Sequence, residues 1–360
     1  MRFARLMLSL ALGYFGTACP PAAAEPLRSD FFVESEDGMR LFVRALRDTA
    51  AQADLGPLLL VNGGRSGVLA SWDVDAPGTS TAEAFAQAGH QVYMMDVRGF
   101  GRSSFPKEMA QGRHDAPVAV RSNEAVRDIA AVVEAIRHRH PGQTRLAAMG
   151  WATGSQWLGH YASLYPDRIS HLVYYNGAYG GPAGGWPLQD EFGDPGRPAE
   201  LNYARHGAYR LATAESLVGR WRDEGIDPRF LDRYVALSME GDATANTRNP
   251  ASFRFPSGPT ADTLKMVNGR QIFDASFIRS HVLILRSGDD FWSRPADAQT
   301  LLAHLTHAAS AELVVMPGVS HYVHLQPTPD RQKFIDAVLA FTSGKATGGD
   351  GVQAQSTSPK

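Results

Sequence analysis

Short apolar runs alternate with amphipathic stretches along most of this chain, and that rhythm restricts its possible folds more than any other feature. Residues 57–61, 91–95, 145–149, 169–175, 281–286 and 311–316 read as buried strands. Between them lie helical patterns. Ser80-Thr81-Ala82-Glu83 has capping-box spacing and opens a helix that stops at Gly89. From Ser122 a longer helix carries Val126, Ile129, Ala130, Val133 and Ile136 on one face. Further helices are expected over 155–165, 296–307 and 328–341. Strands separated by helices imply a mostly parallel sheet flanked by helices on both faces, the α/β class. Ahead of this alternation, residues 31–36 and 39–43 flank Asp37-Gly38, a hairpin signal.

After Tyr179 the rhythm breaks. Residues 180 to about 277 are polar and rich in Gly and Pro, with short helical patterns at 214–222 and 228–238. A structureless loop of that length is improbable in a compact domain, so the segment reads as an inserted, mainly helical cap. The expected organisation is core 25–180, cap 181–277, core 278–342, and a disordered tail over 343–360. That tail is almost free of large apolar residues and has too little to bury against its ordering entropy.

The first 24 residues are set apart. Arg2 and Arg5 precede a short apolar run over 6–15, and Ala22-Ala23-Ala24 supplies a small-residue cleavage site, as in a secretory signal peptide. The run is too short to span a bilayer, so no integral membrane segment is expected after cleavage, and the location is periplasmic or secreted. Cys19, the single cysteine, is an alternative lipid-anchor site. The mature domain then holds no disulfide and depends on a sizeable core. A formal net charge of −2 without a clustered basic excess argues against a nucleic-acid surface. Oligomeric state has no signature.

The chemistry concentrates in five segments. Gly150-Trp151-Ala152-Thr153-Gly154 sits between an expected strand and helix, as a nucleophile elbow does, with Ala152 at the tip. Val61-Asn62-Gly63-Gly64 follows a buried strand. Asp96-Val97-Arg98-Gly99-Phe100-Gly101-Arg102-Ser103 forms a glycine-rich turn, read as structural, with Arg98 anchoring neighbouring loops. Gly288-Asp289-Asp290 and Pro317-Gly318-Val319-Ser320-His321 each follow a strand. His324 reads as a surface or cap-contacting residue. Three residues from His321 and without a third ligand, it makes no zinc pattern.

In order and spacing these segments resemble the α/β-hydrolase fold family, of the capped esterase and lactonase type, over roughly residues 31–341. The resemblance implies a nucleophile–Asp–His triad at Ala152, Asp290 and His321, with Asp289 as the alternative acid. It implies an oxyanion hole from the backbone N–H groups of Gly64 and Thr153. Trp151, Trp292 and Tyr322 are candidate substrate contacts, and a small-molecule ester or lactone is the implied substrate. Trp186, Tyr203, Tyr209 and Trp221 lie in the cap and fit packing as well as ligand contact. No dinucleotide or phosphate loop is present, so no cofactor is expected.

A methyl group cannot attack a carbonyl. Either Ala152 replaces a serine of the parent protein, or it is natural. A natural alanine fits a binding protein, or an enzyme using His321 and Asp290 as a base pair. An aspartate in the parent, beside Trp151 and Trp292, would instead suggest a dehalogenase or epoxide hydrolase. Thr153 and Ser155 are expected to point away from the tip.

Overall fold

A computed structural model describes residues 25–76, 78–219, 221, 226–345 and 353–357. The expected signal peptide and Cys19 lie outside the described residues. A nine-stranded sheet runs in the order β1-β2-β4-β3-β5-β6-β11-β12-β13. β1 (Leu27–Glu34) and β2 (Arg40–Arg47) form the hairpin, with Gly38 at φ +79° in its turn, where a side chain would be strained. β2 is antiparallel to β4 (His90–Met95). From β4 the pairing is parallel through β3 (Gly56–Val61), β5 (Leu146–Trp151), β6 (Ile169–Tyr175), β11 (His281–Asp289) and β12 (Ser310–Ser320). All six residues of β3 and of β5 are buried, as continuous apolar strands covered on both faces must be.

The helices form for legible reasons. α1 (Val68–Trp72) is wholly buried. α2 (Thr81–Gln87) is capped by Ser80, whose Oγ accepts from Glu83 N at 3.0 Å. α3 (Ser122–Arg139) buries Val126, Ile129, Val133 and Ile136 at helical spacing, while Ala130 is half-buried. Asp128, on the same face, is also buried because it takes the Arg98 guanidinium. α4 (Thr153–Leu164) packs on α3 and on β5 and β6. α10 (Pro295–His304) packs on β11 and β12, and α11 (Pro329–Thr342) on α2 and β6.

Between β6 and β11 the chain leaves the sheet. It forms α5 (Gln189–Phe192), the hairpin of β7 (Gly193–Asp194) and β8 (Arg197–Leu201), and α6 (Tyr203–His206). β9 (Tyr209–Thr213), α7 (Ala214–Val218), α8 (Pro228–Glu240), β10 (Ser252–Pro256) and α9 (Gly258–Val267) complete it, β9 pairing antiparallel with β10. The insertion is mainly helical, with two small two-stranded sheets that no alternation in the sequence announces. Part of it has a small apolar core of its own, including Trp186, Phe192, Leu201, Leu264 and Val267.

Within the tail expected to be disordered, β13 (Gln353–Thr357) pairs antiparallel with residues 311–315 of β12. Ladder pairing needs only free backbone N–H and C=O groups on an edge strand, so polar composition does not forbid it.

Candidate active site

β5 ends at Trp151, α4 begins at Thr153, and Ala152 forms the whole connection at φ 52°, ψ −109°. Its backbone is fixed from both sides: Ala152 N donates to Tyr175 O at 2.8 Å and Ser155 N to Ala152 O at 3.1 Å. A Cβ on Gly150 would lie 2.2 Å from Gly154 C, and one on Gly154 2.6 Å from Asn62 O, so the turn closes only with glycine at both places. A non-glycine residue in such a conformation costs about 1–3 kcal/mol and persists only where its surroundings over-determine it. Ser155 Oγ is turned inward, donating to Gly150 O and Tyr175 O. Thr153 Oγ1 is buried against Gly64, where a glycine Cβ would lie 2.5 Å from it. Neither hydroxyl reaches the tip in place of a residue-152 nucleophile.

The acid and histidine loops meet because of strand register. β11 and β12 pair at Asp289 and Ser320, so the next residue on each, Asp290 and His321, leaves the sheet beside the other. His321 Nδ1 lies 2.6 Å from Asp290 Oδ1. Asp289 is exposed, whereas the Asp290 side chain has no exposed surface. Trp292 N donates to Oδ1 at 2.8 Å, Ser293 N to Oδ2 at 3.0 Å, and Ser293 Oγ also donates to Oδ2. Burial raises the Asp290 pKa, but the opposing His321 charge and these donors outweigh it and hold the carboxyl below its ordinary value. The His321 ring packs on Trp151, Phe291 and Tyr322 at centroid distances of 5.1, 4.8 and 5.1 Å. Among the described residues nothing hydrogen-bonds its Nε2.

His324 departs from expectation. It is fully buried, not a surface or insertion-contacting residue. Its ring packs against Trp72 and Trp151, and Nδ1 lies 3.2 Å from Tyr175 Oη. Burial pushes its pKa well down, which keeps it neutral beneath His321. The sequence reading also missed two residues at the end of β6. Tyr175 Oη donates to His321 O at 3.1 Å, and Asn176 Oδ1 accepts from Ser287 N at 2.8 Å. Asn176 has φ +51°, a conformation asparagine tolerates, and Asn176-Gly177 was the available signal.

The glycine-rich turn is structural in its geometry. Buried Asp96 accepts from Val68 N and from Arg102 N, and Arg98 bonds Asp37 and Asp128. Burial lifts the Asp96 pKa to about 7 against those donors. Asn62 Nδ2 donates to Gly63 O at 2.7 Å and to Ser66 O, which shapes the turn before Gly64. No hydrogen bond within the described residues uses the backbone N–H of Gly64 or of Thr153.

One cavity of about 340 Å³ brings together Gly64, Trp151, Ala152, Thr153, Trp292, His321 and Tyr322. Its far wall comes from the insertion, including Leu188, Phe192, Arg210, Leu217 and Tyr234. Trp186, Tyr203, Tyr209 and Trp221 do not line it. Trp186 Nε1 donates to Trp292 O, Trp221 packs on Tyr234 and Tyr322, and the Tyr203 and Tyr209 hydroxyls donate to Ala116 O and Gln111 O. These four hold the insertion onto the core. Among the described residues no group of His, Cys, Asp and Glu is placed to hold a metal, and no helix is long and apolar enough to cross a membrane.

Residues 56–328 match the family model described as alpha/beta hydrolase fold, and the chain belongs to that family. Among solved structures it is similar to the enol-lactonase from Burkholderia xenovorans LB400, with 16% identity, TM-score 0.54, and coverage of 86% of this chain and 99% of that one. It is equally similar to an esterase from Rhodococcus sp. ECU1013, with 16% identity, TM-score 0.55, and coverage of 88% and 100%. The thioesterase domain from the curacin biosynthetic pathway matches at 14% identity and TM-score 0.54, covering 88% and 99%. At these identities the likeness is one of fold. No curated protein matches the sequence.

Proposed function

We propose that this protein is an exported hydrolase of small esters or lactones, built for a nucleophile–His321–Asp290 mechanism whose nucleophile position holds Ala152. The observation that carries this reading is the 2.6 Å His321–Asp290 hydrogen bond at a cavity that also contains the elbow tip. With serine at 152, Oγ attacks the carbonyl carbon while His321 Nε2 takes its proton. Asp290 stabilises the imidazolium, and the N–H groups of Gly64 and Thr153 receive the oxyanion. His321 then protonates the leaving oxygen; water, deprotonated by the same imidazole, attacks the acyl-enzyme, and the imidazolium returns the proton to the serine Oγ as the Oγ–acyl bond breaks and the acid leaves. The esterase and lactonase among the solved structures support the carbonyl-ester class. The insertion serves as a cap over the cavity, and residues 1–24 direct the chain out of the cytoplasm.

With alanine in place, binding and the oxyanion donors remain, and His321 can act only on water. Loss of the nucleophile costs about 10⁶ in kcat, while binding and oxyanion stabilisation retain about 10³–10⁴ over water. Ala152→Ser is therefore expected to raise p-nitrophenyl acetate hydrolysis by about 10³ or more and to confer labelling by a fluorophosphonate. A serine form that neither turns over nor labels would refute the hydrolase reading. Residual turnover by the alanine chain, if it is His321 chemistry, disappears in His321→Ala; saturable binding that ignores that substitution would mark a non-catalytic binding protein instead.

A further inference from the structure

Many arginines of this molecule pair with carboxylates, while others, such as Arg286 and Arg331, are held by neutral oxygens alone. Arg98 pairs with Asp37 and Asp128, Arg44 with Asp30 and Asp73, Arg254 with Asp242, Arg121 with Asp262 and Arg294 with Asp297. Three others line the active-site cavity: Arg65 directly after Gly64, Arg113 between β4 and α3, and Arg210 on β9 of the insertion. Among the described residues none of the three forms an ion pair with a carboxylate. Neutral groups hold them. Arg65 Nη2 donates to Ser216 O and Oγ, Arg113 Nη2 to Arg205 O and His206 O, and Arg210 Nη2 to Thr260 Oγ1. The Nε of each is buried and has no hydrogen-bond partner among the described residues.

Arg210 is the most confined. Its guanidinium lies over the rings of Phe192 and Phe255, at 4.9 and 4.5 Å, which fixes the plane of its donor fork. Burial, followed by the like charge of Arg65, pulls its pKa down to about 9, with Arg113 adding to the effect and Glu191 opposing it. Glu191 is the one carboxylate among the cavity's described lining residues, so three guanidinium groups face one acid. Positive charge gathered out of bulk water is costly unless an anion meets it. A planar fork suits a carboxylate, which accepts two parallel N–H bonds.

We propose that the ligand of this cavity carries a carboxylate besides its ester or lactone group, and that Arg210, with Arg65 and Arg113, receives it. This rests on the hydrolase reading for the reacting group but not for the anion. Because Arg65 follows the oxyanion residue Gly64, the charged end lies on that side of the reacting carbonyl. Phe192, Phe255 and Leu217 line the cavity as well and offer apolar surface to the rest of the ligand. Half-esters of short dicarboxylic acids and carboxylated lactones have this layout.

The full chain, whose Ala152 leaves such ligands intact, allows a binding test by isothermal titration calorimetry at low salt. The probes are monoethyl glutarate and its neutral isostere, the corresponding ester amide. The half-ester is expected to bind about tenfold tighter than the amide, with a preference that shrinks as salt rises. Arg210→Gln and Arg65→Gln, on separate elements, should each reduce that preference at least about threefold. Either variant suffices should the other fail to fold. Equal or tighter binding of the amide, binding of neither probe, or a preference that survives both substitutions overturns the proposal. Failure of the hydrolase reading looks different: Ala152→Ser stays inert toward p-nitrophenyl acetate while the calorimetric preference stands.

Discussion

Ala152 sits at the tip of a strained turn with nothing reactive to present, whereas His321, which lines the same cavity, and its partner Asp290 are fully wired. The two are held by different means. The elbow is set by clearances and backbone bonds: Gly150 against Gly154, Gly154 against Asn62, and Ala152 N to Tyr175 O. None of these involves the side chain at the tip, so a methyl leaves the geometry unchanged. The His–Asp pair is set by side-chain hydrogen bonds, four of them converging on the Asp290 carboxylate. The elbow can therefore lose its chemistry without losing its shape, whereas the dyad cannot.

The sharpest way to break that contrast is Asp290→Asn in the Ala152→Ser background. The amide keeps the volume but reverses one hydrogen-bond role and favours the wrong imidazole tautomer, so kcat is expected to fall about 10⁴-fold in an ester-hydrolysis assay. The same substitution has a stability signature in the Ala152 chain. Because the Asp290 carboxyl is held below its ordinary 3.8, its contribution is complete above that pH and is lost as pH falls through the lower folded value. The deficit of Asp290→Asn against the parent, measured by urea unfolding, should thus shrink as pH drops below 3.8. A deficit that grows on acidification would contradict the pairing.

Gly150→Ala attacks the elbow. The added Cβ would meet three backbone atoms, Gly154 C and O and Ser155 N, at 2.2–2.4 Å, and no flexible side chain is there to yield. Moving the elbow should cost about 2–4 kcal/mol in unfolding free energy while leaving the His321–Asp290 bond in place. A nuclear magnetic resonance spectrum in which the His321 Nδ1 proton also disappears would show that the two are not independent.

What the sequence made legible follows the same division. The sheet and elbow could be read because steric demands leave marks: apolar runs for buried strands, glycines where a Cβ collides, Asp-Gly at the hairpin. The meeting of Asp290 with His321 could be anticipated only by resemblance, because it depends on the Asp289–Ser320 register between strands separated by α10. Hidden altogether was the burial of His324, whose neighbours Trp72, Trp151 and Tyr175 come from three distant elements. The arginine wall was equally hidden, since Arg65, Arg113 and Arg210 have no common spacing. The small sheets of the insertion and the edge strand β13 carry too little alternation to be seen.

Ala152→Gly sharpens the comparison most gently. If backbone constraints alone hold the elbow, the methyl contributes strain at φ 52° and, though buried beside the cavity, only one methyl's worth of packing. Glycine adopts this conformation freely, but its more flexible unfolded chain gives back up to about 1 kcal/mol. Set against about 1–3 kcal/mol of strain, the balance favours glycine by about 1 kcal/mol, readable as a higher urea midpoint at unchanged slope. Ala152→Ser, which keeps the Cβ, should by contrast leave the midpoint within about 0.5 kcal/mol of the parent. Should glycine prove destabilising, the tip side chain helps hold the turn, and the distinction between a packed elbow and a hydrogen-bonded dyad would have to be withdrawn.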